Sequence, residues 1–371
     1  MSRTFPLIGV DGSRLSPRQS TGTENYSREI ARHLLDLDLP VRWRLYLNEP
    51  VSSDTDRYWS QMVDTRPIAA ARVWTHGRLS MEMIRHRPDL LFVPSHVVPI
   101  VHPRSVVTIH DLGYLWYPEM HPAGQRRMLD LSTRWSAHAA RHIIVPSATT
   151  KADLIRAYGI DGQKITVIHH GVSARFGSIA PSMVRELRSK LHLHGPYVLS
   201  VGTIQPRKNF EILGEAMVML RDRGIDCTLI IAGRPGWLAD RVLDRLHEFG
   251  LGERLRIIDY ISDDDLPALY AGASCYVQPS LFEGFGLPVI EAMSSAVPVL
   301  VSSASCLPEI AGDGADVFNP DDAGHLCSSL QDIVLSAERS MAMAARALAR
   351  STHFSWNRAA EQTARVLLDQ L

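Results

Sequence analysis

Residues 275–296 read CYVQPSLFEGFGLPVIEAMSSA, and residues 298–303 follow as PVLVSS. A short apolar run ends at Pro279-Ser280, a glycine-bearing loop follows, and a helical pattern then leads to a second apolar run. Strand, loop, helix and strand in that order form one parallel α/β unit. Pro288 suits a first helical turn, and Gly284 and Gly286 let backbone approach a ligand closely. The helix start offers free N–H groups and a positive dipole end, which seats a diphosphate. Glu283 lies in the loop and Glu291 about one turn into the helix. A carboxylate accepts two hydroxyl hydrogen bonds, so this pair can grip a sugar and a ribose without competing for phosphate. The plainer alternative is an ordinary turn with one capping and one surface glutamate.

Working outward, strand-like and helix-like patterns alternate along nearly the whole chain. FPLIGVD, VRWRLYL, DLLFVPS, SVVTIHD, HIIVPS and KITVIHH read as strands of the first half, and YVLSVGT, CTLIIAG, RLRIIDYI, CYVQPS and PVLVSS as strands of the second. Helical patterns separate them, among them ENYSREIARHLLDL, QRRMLDLSTRWSAHAARH, TKADLIRAYG, NFEILGEAMVMLRDRG and LADRVLDRLHEFG. Two series of similar size predict an α/β protein of two Rossmann-like, doubly wound domains. We expect domains at 1–185 and 186–371, joined within ARFGSIAPSMVRELRSKLHLHGP, with a terminal helix at about 355–371 packing back on the first. Ligands of such sheets bind beyond the carboxyl ends of the strands, so informative residues belong just after strands.

Bulk properties agree. A chain of 371 residues with 45% hydrophobic and 21% charged residues is an ordinary globular protein, too long for one comfortable core. No stretch is long and apolar enough for a membrane span, and the N-terminus lacks the apolar region of a secretory signal. The cytoplasm is therefore expected, with peripheral contact at the inner face of the membrane. Cys227, Cys275, Cys306 and Cys327 form no CxxC pair and read as buried thiols. Residues 1–190 hold 25 Lys/Arg against 17 Asp/Glu, and residues 191–371 hold 14 against 23. A basic first half suits an anionic membrane surface, and scattered solvated arginines are the plainer reading. No nucleic-acid partner is expected.

Four further segments bear on chemistry. VLSVGTIQPRKNF sets Arg207 and Lys208 after a strand and before a helix, where bare cations oppose the helix dipole unless an anion is present; they can neutralise a departing diphosphate. VVTIHDLGYLWYPEMHP puts His110 and Asp111 at a strand end, where the imidazole can bond a sugar hydroxyl or donate to an oxyanion. His96, His102 and His121 match no metal-ligand spacing, which disfavours a metal phosphohydrolase. QSTGTENY carries Gly22 and Thr23 but no full GxGxxG. His169-His170 reads as a turn at a domain edge.

These pieces stand in an order that resembles the GT-B, family-4 retaining glycosyltransferases along nearly the whole chain. EGFGLPVIEAM resembles the family's E-x7-E segment, accompanied by GTIQPRKN, AGRPGWL, DYISDDDLPALYAGAS and SCLPEIAGDGA. TIHDLGYLWYPE, VPSATTKADL and PRKN look most like bacterial mannosyltransferases that build surface polysaccharides. The resemblance implies two domains facing across a cleft, the first binding acceptor and the second a nucleotide sugar. It implies that Lys208 and Arg207 bind the donor diphosphate and that Glu291 holds the ribose. Glu283 and the backbone at Phe285, Gly286 and Leu287 would hold the hexose, with His110 near the reacting carbon and the base against Tyr260 and Ile261. Gly22 joins the donor side; Asp111, Thr23 and Ser147 are candidates on the acceptor side. Many relatives carry Arg after the glycine matching Gly202, where this chain has Thr203, so Arg207 is expected to supply that charge.

The implied activity is transfer of a hexose, with mannose from GDP-mannose favoured, onto a saccharide or lipid-linked saccharide, with no cofactor and no metal. A UDP- or dTDP-sugar is the alternative donor. From another class, an epimerase or a non-catalytic nucleotide-sugar binder would share the donor site. An NAD oxidoreductase is disfavoured, since neither half has the glycine fingerprint with its ribose-binding acid.

Overall fold

A computed structural model describes residues 5–15, 22–48, 63–68 and 74–371. It contains two all-parallel sheets, ordered β3-β2-β1-β4-β5-β6-β7 and β10-β9-β8-β11-β12-β13. The first comprises β1 (Leu7–Asp11), β2 (Arg42–Leu47), β3 (Asp64–Pro67), β4 (Leu90–Val93), β5 (Arg104–Thr108), β6 (His142–Val145) and β7 (Ile165–Val167). The second comprises β8 (Tyr197–Val201), β9 (Thr228–Ala232), β10 (Leu255–Ile258), β11 (Cys275–Gln278), β12 (Val299–Ser302) and β13 (Asp316–Phe318). Each order reverses direction once, between β1 and β4 and between β8 and β11. That reversal makes both sheets doubly wound, as expected, and opens a crevice at the strand ends of each switch point.

Two short edge strands escaped the sequence reading. β3 has the sequence DTRP and β13 the sequence DVF. Neither forms an apolar run, because an edge strand needs cover on fewer sides, and Pro67 is tolerated where no further strand requires its N–H. Central strands behave oppositely. Val198, Leu229, Ile231, Cys275 and Val277 enter one core of the second sheet. Their neighbours Tyr197, Leu199, Ile230 and Tyr276 enter the core on the other face. Burial on both faces explains why these strands read as continuous apolar stretches.

The chain divides into two compact units. The first holds Met1–Leu112, Gly124–Gly171 and Trp356–Leu371; the second holds Gly113–Ala123 and Val172–Ser355. The changeover falls at Gly171–Val172, earlier than 185, because Phe176, Leu187 and Leu193 already belong to a core of the second sheet. The terminal helix Trp356–Asp369 lies in the first unit, against the helix Gly22–Leu35. Gly113–Ala123, read from the sequence with the first half, counts with the second unit. Among the described residues no helix is long and apolar enough to cross a membrane.

Candidate active site

At the switch point of the second sheet, the loops after β8 and β11 lie side by side, joined by Leu281 N–H donating to the Arg207 carbonyl at 2.9 Å. They carry Lys208 and Glu283, each 8% exposed. Lys208 Nζ donates to Glu283 Oε1 at 2.5 Å, and Arg207 donates to Oε2 at 3.2 Å. The same Oε1 accepts from Ser280 Oγ at 2.6 Å and from Gln278 Nε2 at 3.1 Å. Burial alone would raise the Glu283 carboxyl, but the Lys208 ammonium and then the Arg207 guanidinium overcome it and hold the group down at about 2. Glu283 is therefore an anion throughout the neutral range. The buried Lys208 and the half-buried Arg207 set two cations beside Glu283, a placement suited to an anionic ligand.

Backbone geometry holds the loop in place. The Glu283 carbonyl accepts from Ser305 Oγ at 2.6 Å and from Cys306 Sγ at 3.1 Å. Gly286 takes φ 94° immediately before the helix Leu287–Ser294, a conformation that side-chain-bearing residues adopt at a cost. Pro288 lies in that helix's first turn, as expected. Phe285 turns inward, packing edge-on to Phe354 at 5.8 Å, so its backbone is what it can offer a hexose. Tyr117 braces the loop from another side. Its hydroxyl donates to the Leu281 carbonyl at 3.2 Å, and its ring meets Phe282 edge-on at 6.3 Å. Tyr117→Phe is expected to remove about 1 kcal/mol of stability and to raise the donor KM more than it lowers kcat, measured by thermal unfolding and steady-state kinetics.

Glu291 is also 8% exposed, which discards the reading of it as a surface residue. Burial raises its carboxyl to about 7, against the Tyr270 hydroxyl that donates to Oε2 at 3.0 Å. The two glutamates of the E-x7-E segment are thus set apart electrostatically. In the unfolded chain Glu291 ionises near 4.5, so stability falls as pH rises from there to about 7, where the folded protein loses the proton. The carboxylate is also the better acceptor for two ribose hydroxyls. Two outcomes are expected relative to Glu291→Gln across that window: the wild type loses melting temperature, and it gains nucleotide affinity by calorimetry. Parallel pH profiles would contradict both.

Thr203 is exposed directly after Gly202, where it offers a hydroxyl in place of a guanidinium. Tyr260 is exposed, with the Arg234 guanidinium 5.2 Å from its ring centroid, and Ile261 beside it is half-buried. Neither donates to the Lys208–Glu283 cluster.

In the first unit, His110 follows β5 and is 8% exposed. Burial first, and nearby His96 second, push its pKa down to about 3, so the ring is neutral. Its Nε2 lies 2.9 Å from the Pro94 carbonyl. A carbonyl only accepts, so Nε2 holds the proton and Nδ1 is the ring's acceptor. Of the two roles read from the sequence, accepting from a sugar hydroxyl fits this tautomer and donating to an oxyanion does not. His96 went unrecognised except as a rejected metal ligand. Its Nε2 accepts from the His110 N–H at 3.2 Å, and its Nδ1 is buried without a protein partner among the described residues. The signal was there in principle: a histidine at the end of β4, beside the switch point.

Other expectations fare differently. Ser147 is fully buried and caps the helix Ala148–Tyr158, accepting from Thr150 N at 3.2 Å. Gly22 opens the helix Gly22–Leu35, and the Thr23 carbonyl accepts from Ser27 Oγ at 2.8 Å. Gln19–Thr21 lie outside the described residues. Asp111 is half-buried and raises the pKa of both His96 and His110 slightly against the larger effect of burial. His170 stacks on Trp356 at 5.9 Å and meets the Tyr26 ring at a tilt, 4.4 Å away, immediately before the changeover between units.

Residues 20–176 match the family described as Glycosyltransferase Family 4, and residues 185–350 match Glycosyl transferases group 1. The O-antigen chain mannosyltransferase B of Escherichia coli is 34% identical over 296 residues, spanning 78% of this chain and 76% of that one. The chain belongs to the family-4 glycosyltransferases. The O-antigen chain mannosyltransferase RfbU of Salmonella typhimurium is 28% identical over 244 residues, covering 66% of this glycosyltransferase and 64% of RfbU. Sucrose-phosphate synthase of Thermosynechococcus elongatus superposes with a TM-score of 0.79 at 20% identity, covering 97% of this chain and 98% of that one. The two parallel sheets are accordingly the two Rossmann-like domains of the GT-B fold, and the loops at the second switch point belong to a glycosyltransferase.

Proposed function

We propose that this glycosyltransferase moves mannose from GDP-mannose, with retention of configuration, onto a saccharide or lipid-linked saccharide during surface polysaccharide synthesis. The observation that carries the chemistry is the cluster of buried Lys208 and Glu283 with half-buried Arg207 beside the start of the helix Leu287–Ser294. Identity to O-antigen mannosyltransferases over most of the chain supports mannose as the sugar.

In this reading the donor diphosphate takes Lys208 and Arg207 as counter-charges, with the helix N–H groups beside it. Glu283 receives hexose hydroxyls, and Glu291 the ribose hydroxyls. As the bond from the anomeric carbon to the phosphate oxygen lengthens, negative charge grows on the diphosphate and positive charge on the sugar. The two cations bind the first more tightly in the transition state than in the ground state, which is what accelerates the step. The acceptor hydroxyl oxygen bonds to the anomeric carbon on the face the diphosphate leaves, and its proton passes to the departing phosphate oxygen. The cations and helix dipole meet the diphosphate without a metal ion. A glutamate nucleophile is a poorer account, since Glu283 is already held by four donors and lies at about 2, a weakly basic carboxylate.

The test is transfer from GDP-mannose to a mannosylated acceptor in the presence of EDTA, with the product's anomeric configuration read by NMR. An α-linked product formed at an undiminished rate is expected. A β-linked product, or activity that returns only with added divalent metal, would refute this mechanism.

A further inference from the structure

Within the first unit, three hydrogen bonds clasp the loop after β4 to the end of β5. His96 N donates to the Thr108 carbonyl at 3.0 Å, His110 N donates back to His96 Nε2 at 3.2 Å, and His110 Nε2 donates to the Pro94 carbonyl at 2.9 Å. The clasp holds His96 at φ 41°, a left-handed backbone that is costly for side-chain-bearing residues and persists where the surroundings over-determine it. The strand end beneath is fixed in turn, since Tyr26 Oη and Thr108 Oγ1 share a buried hydrogen bond of 3.0 Å.

These bonds also decide where the ring protons sit. His96 Nε2 accepts, so in the neutral ring Nδ1 carries the proton; His110 Nε2 donates, so its Nδ1 is an acceptor. Burial holds both rings below the ordinary imidazole range, and both are neutral at pH 7. The pair, with ring centroids 5.3 Å apart, therefore offers one donor and one acceptor. His96 Nδ1 is buried with no hydrogen-bond partner among the described residues, although the residue as a whole is only half-buried. Asp111 draws the ring's pKa upward through its charge without accepting from Nδ1. A structural brace needs only the acceptor at Nε2, and a buried N–H left unmet at Nδ1 works against the fold.

We propose that His96 is a saccharide-binding residue whose Nδ1–H donates to a sugar hydroxyl oxygen, complementing the acceptor at His110 Nδ1. The inference rests on the proposed transfer to a saccharide and adds a donor to that recognition. A hydroxyl both gives and accepts a hydrogen bond, so sugar hydroxyls match the two nitrogens. An anion fits less well. Both rings are uncharged, and the charges acting on His96 are mixed, Asp111 against Arg14, with Arg14 paired to Glu24 at 3.3 Å. The position agrees with the chemistry: both histidines follow the carboxyl ends of β4 and β5, beside the switch point between β1 and β4, where ligands of such sheets bind.

The experiment compares His96→Gln and His96→Asn with wild type in transfer from GDP-mannose to a methyl α-mannobioside. Glutamine can place an acceptor where Nε2 stood but no donor at Nδ1. Asparagine tolerates the left-handed backbone and can place an N–H where Nδ1 stood, but it is too short to reach the His110 N–H. His96→Gln is expected to keep the wild-type melting temperature and GDP affinity and to lose kcat/KM about tenfold, the effect of one lost hydrogen bond. His96→Asn is expected to melt lower and yet keep more of kcat/KM than His96→Gln. Hydrolysis of GDP-mannose without acceptor then locates the hydroxyl. An equal loss there places it on the donor hexose, a loss confined to the acceptor KM places it on the acceptor saccharide, and either supports the inference. Wild-type kcat/KM in His96→Gln overturns it, as does a loss that follows melting temperature across the two variants, which would make His96 a brace alone. If the wild type instead uses a UDP- or dTDP-sugar, the proposed donor fails and the same comparison is made with that sugar, so either reading can fail alone.

Discussion

Lys208→Ala is expected to lower kcat for sugar transfer by about 10²- to 10³-fold, the loss that follows removal of one preorganised charge-stabilising group. The substitution acts twice. It takes a cation from the diphosphate, and it leaves the buried Glu283 carboxylate with Arg207, Ser280 and Gln278 as its remaining donors. Removing one partner of a buried ion pair destabilises by about 3 kcal/mol. The two effects separate in the double variant Glu283→Gln/Lys208→Ala. Neutralising the stranded carboxylate should restore much of the melting temperature while activity stays low. If Lys208→Ala alone transfers sugar at the wild-type rate, the cluster is structural, and the account of the diphosphate is wrong.

Gly233→Ala is expected to be the most damaging single methyl group in the second domain. A Cβ there would sit 1.9 Å from the Gly202 carbonyl oxygen, and backbone cannot swing aside as a flexible side chain can. The ends of β8, β9 and β10 are tied together at this point, with Gly202 N donating to the Ala232 carbonyl at 2.9 Å and Gly233 N donating to the Ile258 carbonyl at 2.8 Å. Relief requires the β8 loop to move, and that loop carries Thr203, Arg207 and Lys208. A loss of more than about 3 kcal/mol is expected, together with weaker nucleotide binding in whatever fraction folds, measured by denaturant unfolding and calorimetry. A glycine that meets nothing, Gly250→Ala for instance, has only its positive φ of 60° to disturb and should cost far less and leave binding intact.

What the sequence revealed and what it hid follow from the range of the forces involved. Glu283, Glu291, Arg207 and Lys208 were visible because each stands at a fixed short distance from a strand end, and βα loops convert that spacing directly into position. Their partners were not. Nothing near residue 291 announces that Tyr270 will meet it, nor that Ser280 and Gln278 will turn inward to the same oxygen, because burial brings those groups together across separate turns of chain. The consequence is chemical: two carboxylates both read as hydroxyl ligands are held at about 2 and about 7. Ser147 is a polar strand-end residue whose hydroxyl serves the helix it begins. β3 was invisible because an edge strand with a proline has little apolar pattern to offer, and the side-chain contacts of Tyr117 with Leu281 and Phe282 join segments far apart in the chain.

The proposed site for GDP-mannose, at the switch-point loops of the second domain, is open to calorimetric titration of the full chain with GDP, UDP and dTDP, followed by transfer assays with the matching sugar nucleotides. GDP is expected to bind at least about tenfold more tightly than either pyrimidine nucleotide, Lys208→Ala and Glu291→Ala each to weaken it, and GDP-mannose alone to support rapid transfer. Tighter binding of UDP or dTDP, with transfer from the corresponding sugar, would contradict it.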